Sequence, residues 1–242
     1  MSRVEDDIGA RVRQRSGWLV PLVVFFVTAC LSALVLAYYF APSSGGLVEE
    51  LPAPTDATRP VALSVGRVEF RIPANYILLA SARRGGAMQN IALTAMLPNF
   101  EGYTLATAPE FTANAIDSGA ISFSLANGKI LLPEQERVDR VYMHQVEDAR
   151  GQPGPFGLRQ YAFRMDSGYR DAELFVGATE TGPIVLLCDK AGPDLASPNC
   201  LRDLPLGNGL SLSYRFKRGH LADWRKVDAG VRALIDRFAV KN

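Results

Sequence analysis

Nucleophilic catalysis needs a serine or cysteine beside a base that takes its proton, and the chain holds only two histidines, His144 and His220. Neither lies in a local catalytic signature. The nearest approach to a G-x-S-x-G elbow is at Ser64, where Ala62 stands in place of the first glycine. No H-E-x-x-H helix, paired C-x-x-C or D-x-D-x-D-G loop offers a metal its ligands. Gly207-Asn208-Gly209 lacks the third glycine and the following lysine of a phosphate cradle. Asp139 and Glu147 could act as an acid and a base if the fold joined them, but nothing selects them from the 25 carboxylates. The residues therefore predict no catalytic group, no metal site and no cofactor.

The elements that would position any site begin with residues 18–40, which contain no charged residue and no histidine. As a helix at 1.5 Å per residue this segment reaches about 35 Å, enough to span the hydrocarbon core of a bilayer. Backbone groups in lipid must bond to one another, so a helix is the expected form, with Pro21 in the first turn where a missing N–H costs least. Trp18 at one end and Tyr38 and Tyr39 at the other have the character of interfacial anchors. Arg3, Arg11, Arg13 and Arg15 precede the span, and no Lys or Arg follows it up to residue 58. The positive-inside rule then leaves the N-terminus in the cytoplasm and carries the remainder across, into the periplasm in a bacterium. Cleavage is the competing reading. Its sharpest form is a lipoprotein signal at Val27-Thr28-Ala29-Cys30, which would lipidate Cys30, although apolar residues run on from Leu31 to Phe40 where a lipoprotein turns polar.

Of the three cysteines, Cys30 belongs to the span, while Cys188 and Cys200 both fall in the exported part. In an oxidising compartment that pair reads as a disulfide, closing a loop rich in turn residues, at a gain of about 3 kcal/mol in the chain-entropy picture. Lys and Arg number 26 against 25 Asp and Glu, a formal charge of +1, which cannot supply the field that nucleic-acid binding needs. Two basic groupings stand out locally, Arg83-Arg84 and the set Arg215, Lys217, Arg218, Arg225 and Lys226. They read chiefly as a solvated turn and the wet faces of a strand and a helix, with an acidic partner or anionic headgroups as the functional alternative.

Residues 41–60, with four prolines and a Ser-Ser-Gly-Gly run, have linker composition. Strand patterns follow: 61–65 and 67–72 as a hairpin about Gly66, then 91–97, 120–125, 157–165, 172–178 and 184–188. The clearest alternation places Leu210, Leu212, Tyr214 and Phe216 on one face and Ser211, Ser213, Arg215 and Lys217 on the other. After Gly219 the period changes to about 3.6, gathering Leu221, Trp224, Val227, Val231, Leu234, Ile235 and Phe238 on one side of a helix, with Asp228 on the other. Further helices are predicted over Pro133–Gln145 and from Thr107, whose spacing to Glu110 is that of a capping box. That short helix would break the long connection 98–119. If the connection were instead open, its aromatics Phe100, Tyr103 and Phe111 would be the place to look for a protein contact. The organisation expected is a cytoplasmic basic N-terminus (1–17), a transmembrane anchor (18–40), a linker (41–60) and one periplasmic α+β domain (61–242). That domain has a mainly antiparallel sheet with the C-terminal amphipathic helix packed on it.

Tyr38-Tyr39-Phe40-Ala41-Pro42, the run Phe70-Arg71-Ile72-Pro73-Ala74-Asn75-Tyr76-Ile77, the Cys188 and Cys200 pair and the closing Leu221-Ala222-Asp223-Trp224 through Phe238 together resemble an uncharacterised family of membrane-anchored periplasmic proteins from proteobacteria. The F-x-I-P strand and a last helix ending in Phe are also similar to Mog1/PsbP-like domains. The motifs of the first resemblance are structural in character and the family has no assigned activity, and the second implies only an α/β fold. The function expected is a periplasmic protein-binding or assembly module with another envelope protein as partner. An immunity-like protein neutralising an exported toxin is the alternative, and a periplasmic hydrolase using paired carboxylates a further one.

Overall fold

The structure is a computed structural model that describes residues 17–40, 50–128, 131–179, 182–193 and 195–240. The basic stretch before residue 17 and residues 41–49 of the expected linker lie outside the described residues. The first unit contains one helix, α1 (Leu19–Phe40), long and apolar enough to cross a membrane.

The second unit runs from Leu51. Its elements are β1 (Pro60–Val65), β2 (Val68–Pro73), β3 (Gly86–Met88), β4 (Asn90–Met96), α2 (Ala108–Thr112), β5 (Ala120–Asn127) and α3 (Glu134–Arg137). They continue with β6 (Gln152–Pro153), β7 (Arg159–Ala162), β8 (Ala172–Thr179), β9 (Gly182–Asp189), β10 (Asn199–Gly207), β11 (Leu210–Lys217) and α4 (Trp224–Phe238). β1 and β2 form the expected hairpin about Gly66, which sits at φ +60°, and β3 runs parallel to β1 on its other side. The remaining strands make one antiparallel sheet in the order β4-β5-β11-β10-β9-β8-β7-β6.

One apolar core joins the inner faces of both sheets to α4. Every apolar residue that the 3.6-residue period assigns to the helix stripe is buried there, from Leu221 to Phe238. α4 itself begins at Trp224, the preceding Arg218–Asp223 being a tighter 3-10 turn. A second, smaller core lies on the opposite face of β7, β8 and β9, where Val138, Tyr142 and Val146 cover Phe163, Leu174 and Val185. Neighbouring residues of β8 and β9 therefore serve different cores, Phe175 one and Leu174 the other. Burial on both faces is why these strands read as unbroken apolar runs and not as alternation.

Four sequence expectations change. Residues 51–59 do not behave as linker but lie as a strap along the folded unit: Ala53 N–H donates to the Leu78 carbonyl and Arg83 Nη1 to the Ala53 carbonyl. The helix expected over Pro133–Gln145 is one α turn that widens into a π turn at Val138–Tyr142. The capping box at Thr107 does not form, because the Thr107 hydroxyl bonds with that of Thr104, and α2 stops after five residues. Finally, β10 carries no strand signal in the sequence, since it places the charged Arg202 inward beside Cys200 and Leu204.

Candidate functional site

Cys188 and Cys200 sit directly opposite one another on β9 and β10, with their sulfurs 2.00 Å apart and both side chains buried. Cys30 lies on α1 and is exposed. Beyond Leu201↔Leu187 the two strands stop pairing. The backbone N–H of Val185, left without a β10 carbonyl, donates instead to Glu134 Oε1 at 3.1 Å.

Glu134 is one arm of a buried ionic network. Its carboxylate takes two bonds from Arg202, at 2.8 Å from Nε and 2.6 Å from Nη2, and Arg202 Nη1 reaches Asp228 on α4. Asp228 also accepts from the Tyr214 hydroxyl at 3.1 Å and from Arg232 Nε at 3.2 Å. Burial works against the charge on Arg202, but the Glu134 bonds and the neighbouring Asp228 outweigh it and hold the guanidinium protonated. Burial likewise raises the Tyr214 phenol above its ordinary range. Two carboxylates thus converge in the interior, but on an arginine that occupies both, an arrangement that ties β10, β11, α3 and α4 together. Sequence reasoning missed this network, placing Asp228 on the wet side of its helix and leaving Glu134 within the helix expected over Pro133–Gln145 without a role of its own.

The residues weighed for catalysis are scattered. His144 is exposed, and His220 holds the carbonyls of Asp117 and Ser118 at 3.0 and 3.1 Å, fastening the 98–119 connection to the turn before α4. Asp139 accepts from Gln135 at 3.0 Å, and Glu147 is exposed. Among the described residues no group of three or more His, Cys, Asp or Glu could hold a metal ion.

The basic set resolves differently. Arg218 pairs with Glu173 at 2.5 Å, Lys226 with Asp223 at 2.8 Å, and Arg225 stacks on Trp224 at 4.1 Å. Lys226 holds the Asp223 carboxyl below its usual range. Arg215 and Lys217 face the other way, into a trough of about 440 Å³ on the outer face of the large sheet. The strap (Pro52, Pro54) and Leu78 form one wall and Phe111–Asn114 another, while Thr94, Ser122 and Arg215 make the floor. Strand register creates that floor, because Thr94↔Ser122 and Ser122↔Arg215 are direct neighbours across β4, β5 and β11, and Arg215 next meets Leu201 on β10. Partners this small or apolar offer the arginine no acid across the strands. Lys217 reaches only neutral oxygens, Asn114 Oδ1 at 2.7 Å and the Ser197 carbonyl at 3.4 Å. Phe111 lines this trough in contact with Tyr103, whereas Phe100 packs inward against Gly230 of α4.

No protein-family model matches the sequence, and a search of curated proteins gives no match. Among solved structures, the chain is similar to an immunity protein of the Stenotrophomonas maltophilia type IV secretion system. The two share 17% identity with a TM-score of 0.54, over 80% of this chain and 100% of the other. At that identity the likeness is one of fold.

Proposed function

We propose that this chain is a membrane-anchored, immunity-type protein that neutralises an exported toxin by binding it, without catalysis. The observation that carries the reading is the fold shared over the full length of a secretion-system immunity protein. Three features support it. A helix with the length and composition of a membrane span precedes the folded unit, and the arginines before it favour a cytoplasmic N-terminus. The Cys188 and Cys200 pair suits an oxidising periplasm. The converging carboxylates are engaged by Arg202, which leaves no free acid and base there. Binding in the periplasm would intercept a toxin before it reaches its target.

The test is survival. Cells expressing the full chain are challenged with the secreted effector encoded beside it, in parallel with a crosslinked pull-down from intact cells. Protection together with capture of that effector is expected. Capture of a resident envelope complex without protection would replace this reading with an assembly role. A C-terminal reporter active only in the cytoplasm would overturn the topology.

A further inference from the structure

We infer that the trough across the outer face of β4, β5 and β11 is the partner-binding site, and that it takes an extended, carboxylate-bearing peptide segment of the neutralised protein. This rests on the reading above and deepens it by naming the chemistry of the partner's contact.

The charge pattern specifies the ligand's sign. Among the described residues, neither the 440 Å³ trough nor the 290 Å³ depression beside it is lined by an Asp or Glu. Arg215 lines both, as do Leu78 and Ser122, so the two depressions adjoin at the arginine. Some cations of the folded unit are answered by acids, Arg202 by Glu134 and Asp228, Arg218 by Glu173 and Arg232 by Asp228, while Arg83 and Arg159 reach backbone carbonyls. Lys217 meets only an amide and a carbonyl oxygen. A carboxylate entering here completes ion pairs that none of the described residues makes.

The walls specify the rest. Pro52, Pro54, Leu78 and Phe111 present apolar side chains above a floor of hydroxyl and cationic groups. A bare inorganic anion would satisfy the cations but leave those walls wet. A peptide alternating acidic and apolar residues satisfies both, since successive side chains of an extended segment point to opposite sides. A nucleic-acid strand would need a far more basic surface than a chain of net charge +1 supplies.

The experiment selects phage-displayed random peptides on the full chain held in lipid nanodiscs. Selected peptides should be enriched in Asp and Glu flanked by apolar residues. The most enriched of them, fluorescein-labelled, should bind about tenfold more weakly to Arg215→Glu and to Lys217→Glu, and more weakly as salt rises. Ser122→Trp fills the floor without changing charge and should also abolish binding, while Arg215→Lys should retain it. Near-ultraviolet dichroism identifies any variant that has lost its fold. Peptides with no acidic enrichment, equal binding to Arg215→Glu, or displacement of the peptide by phosphatidylglycerol vesicles would each overturn the inference. The survival assay separates the two levels. Protection by wild type and equally by the Arg215→Glu/Lys217→Glu double variant would sink the inference and leave the immunity reading standing. Loss of protection by wild type sinks the immunity reading, and the peptide selection still decides the chemistry of the trough.

Discussion

Arg202 stands at the centre of the interior network, and replacing it by methionine separates the contributions of its two partners. The side chain is 2% exposed, and it contacts Glu134 and Asp228 at 11% and 13% exposure. Removing the guanidinium leaves Asp228 still bonded by Tyr214 and Arg232, but leaves Glu134 with the Val185 N–H alone. The penalty therefore falls chiefly on Glu134, as a buried carboxylate without a cation, and breaking such a pair costs about 3–5 kcal/mol. Against a typical total of about 5–15 kcal/mol, that is a large share of the folding free energy. Adding Glu134→Gln to Arg202→Met removes the stranded charge and should return about 2 kcal/mol, whereas Asp228→Asn in the same background should return less than about 1 kcal/mol. Urea unfolding of the full chain in detergent micelles, followed by Trp224 fluorescence in a Trp18→Phe background, measures all four proteins. Trp224 is buried and donates its indole N–H to the Phe156 carbonyl at 3.2 Å, so its emission reports the core directly. An Arg202→Met cost below about 1 kcal/mol, or equal rescue by the two second-site changes, would refute this division of the network.

Two further outcomes follow from packing and from titration. Gly230→Ala should lower stability by about 1–3 kcal/mol despite a helix-propensity gain of about 1 kcal/mol, because its Cβ would fall 2.0 Å from the Phe100 ring. Calorimetry of Gly230→Ala, and of the same change with Phe100→Ala, should show the thermal midpoint fall and then partly recover. Tyr214 keeps its proton in the fold beyond the pH at which the unfolded chain releases it, burial being the first cause. Its contribution is thus complete below about pH 10 and is lost as pH rises, by up to about 1.4 kcal/mol per pH unit. Tyr214→Phe should flatten that alkaline slope in urea titrations, with the half-buried Tyr76, the buried Tyr142 and the Lys226–Asp223 pair contributing to what remains.

Much of the architecture is written in local pattern. The length and apolar character of the helix at residues 19–40 follow from composition over one continuous stretch, and the stripe of α4 and the β1–β2 hairpin follow from periods of 3.6 and 2. β10 was hidden because Arg202, Asp203 and Pro205 obscure a strand whose inward arginine is tolerated only by carboxylates from α3 and α4, far away in the chain. Ser211 shows the same limit: alternation assigns it to water, yet it is buried, with its hydroxyl on the Ala126 carbonyl.

The sequence by itself determined the apolar helix and the α+β class, because each depends on composition or short-range periodicity. Only the tertiary structure decided which cations stay without an acid. Arg215 and Arg218 lie three residues apart and look alike in the sequence, yet Arg218 meets Glu173 while Arg215 lines the trough. The reason is register: pairing of β4, β5 and β11 brings Thr94, Ser122 and Arg215 into one row, and no local pattern encodes a neighbour more than ninety residues distant.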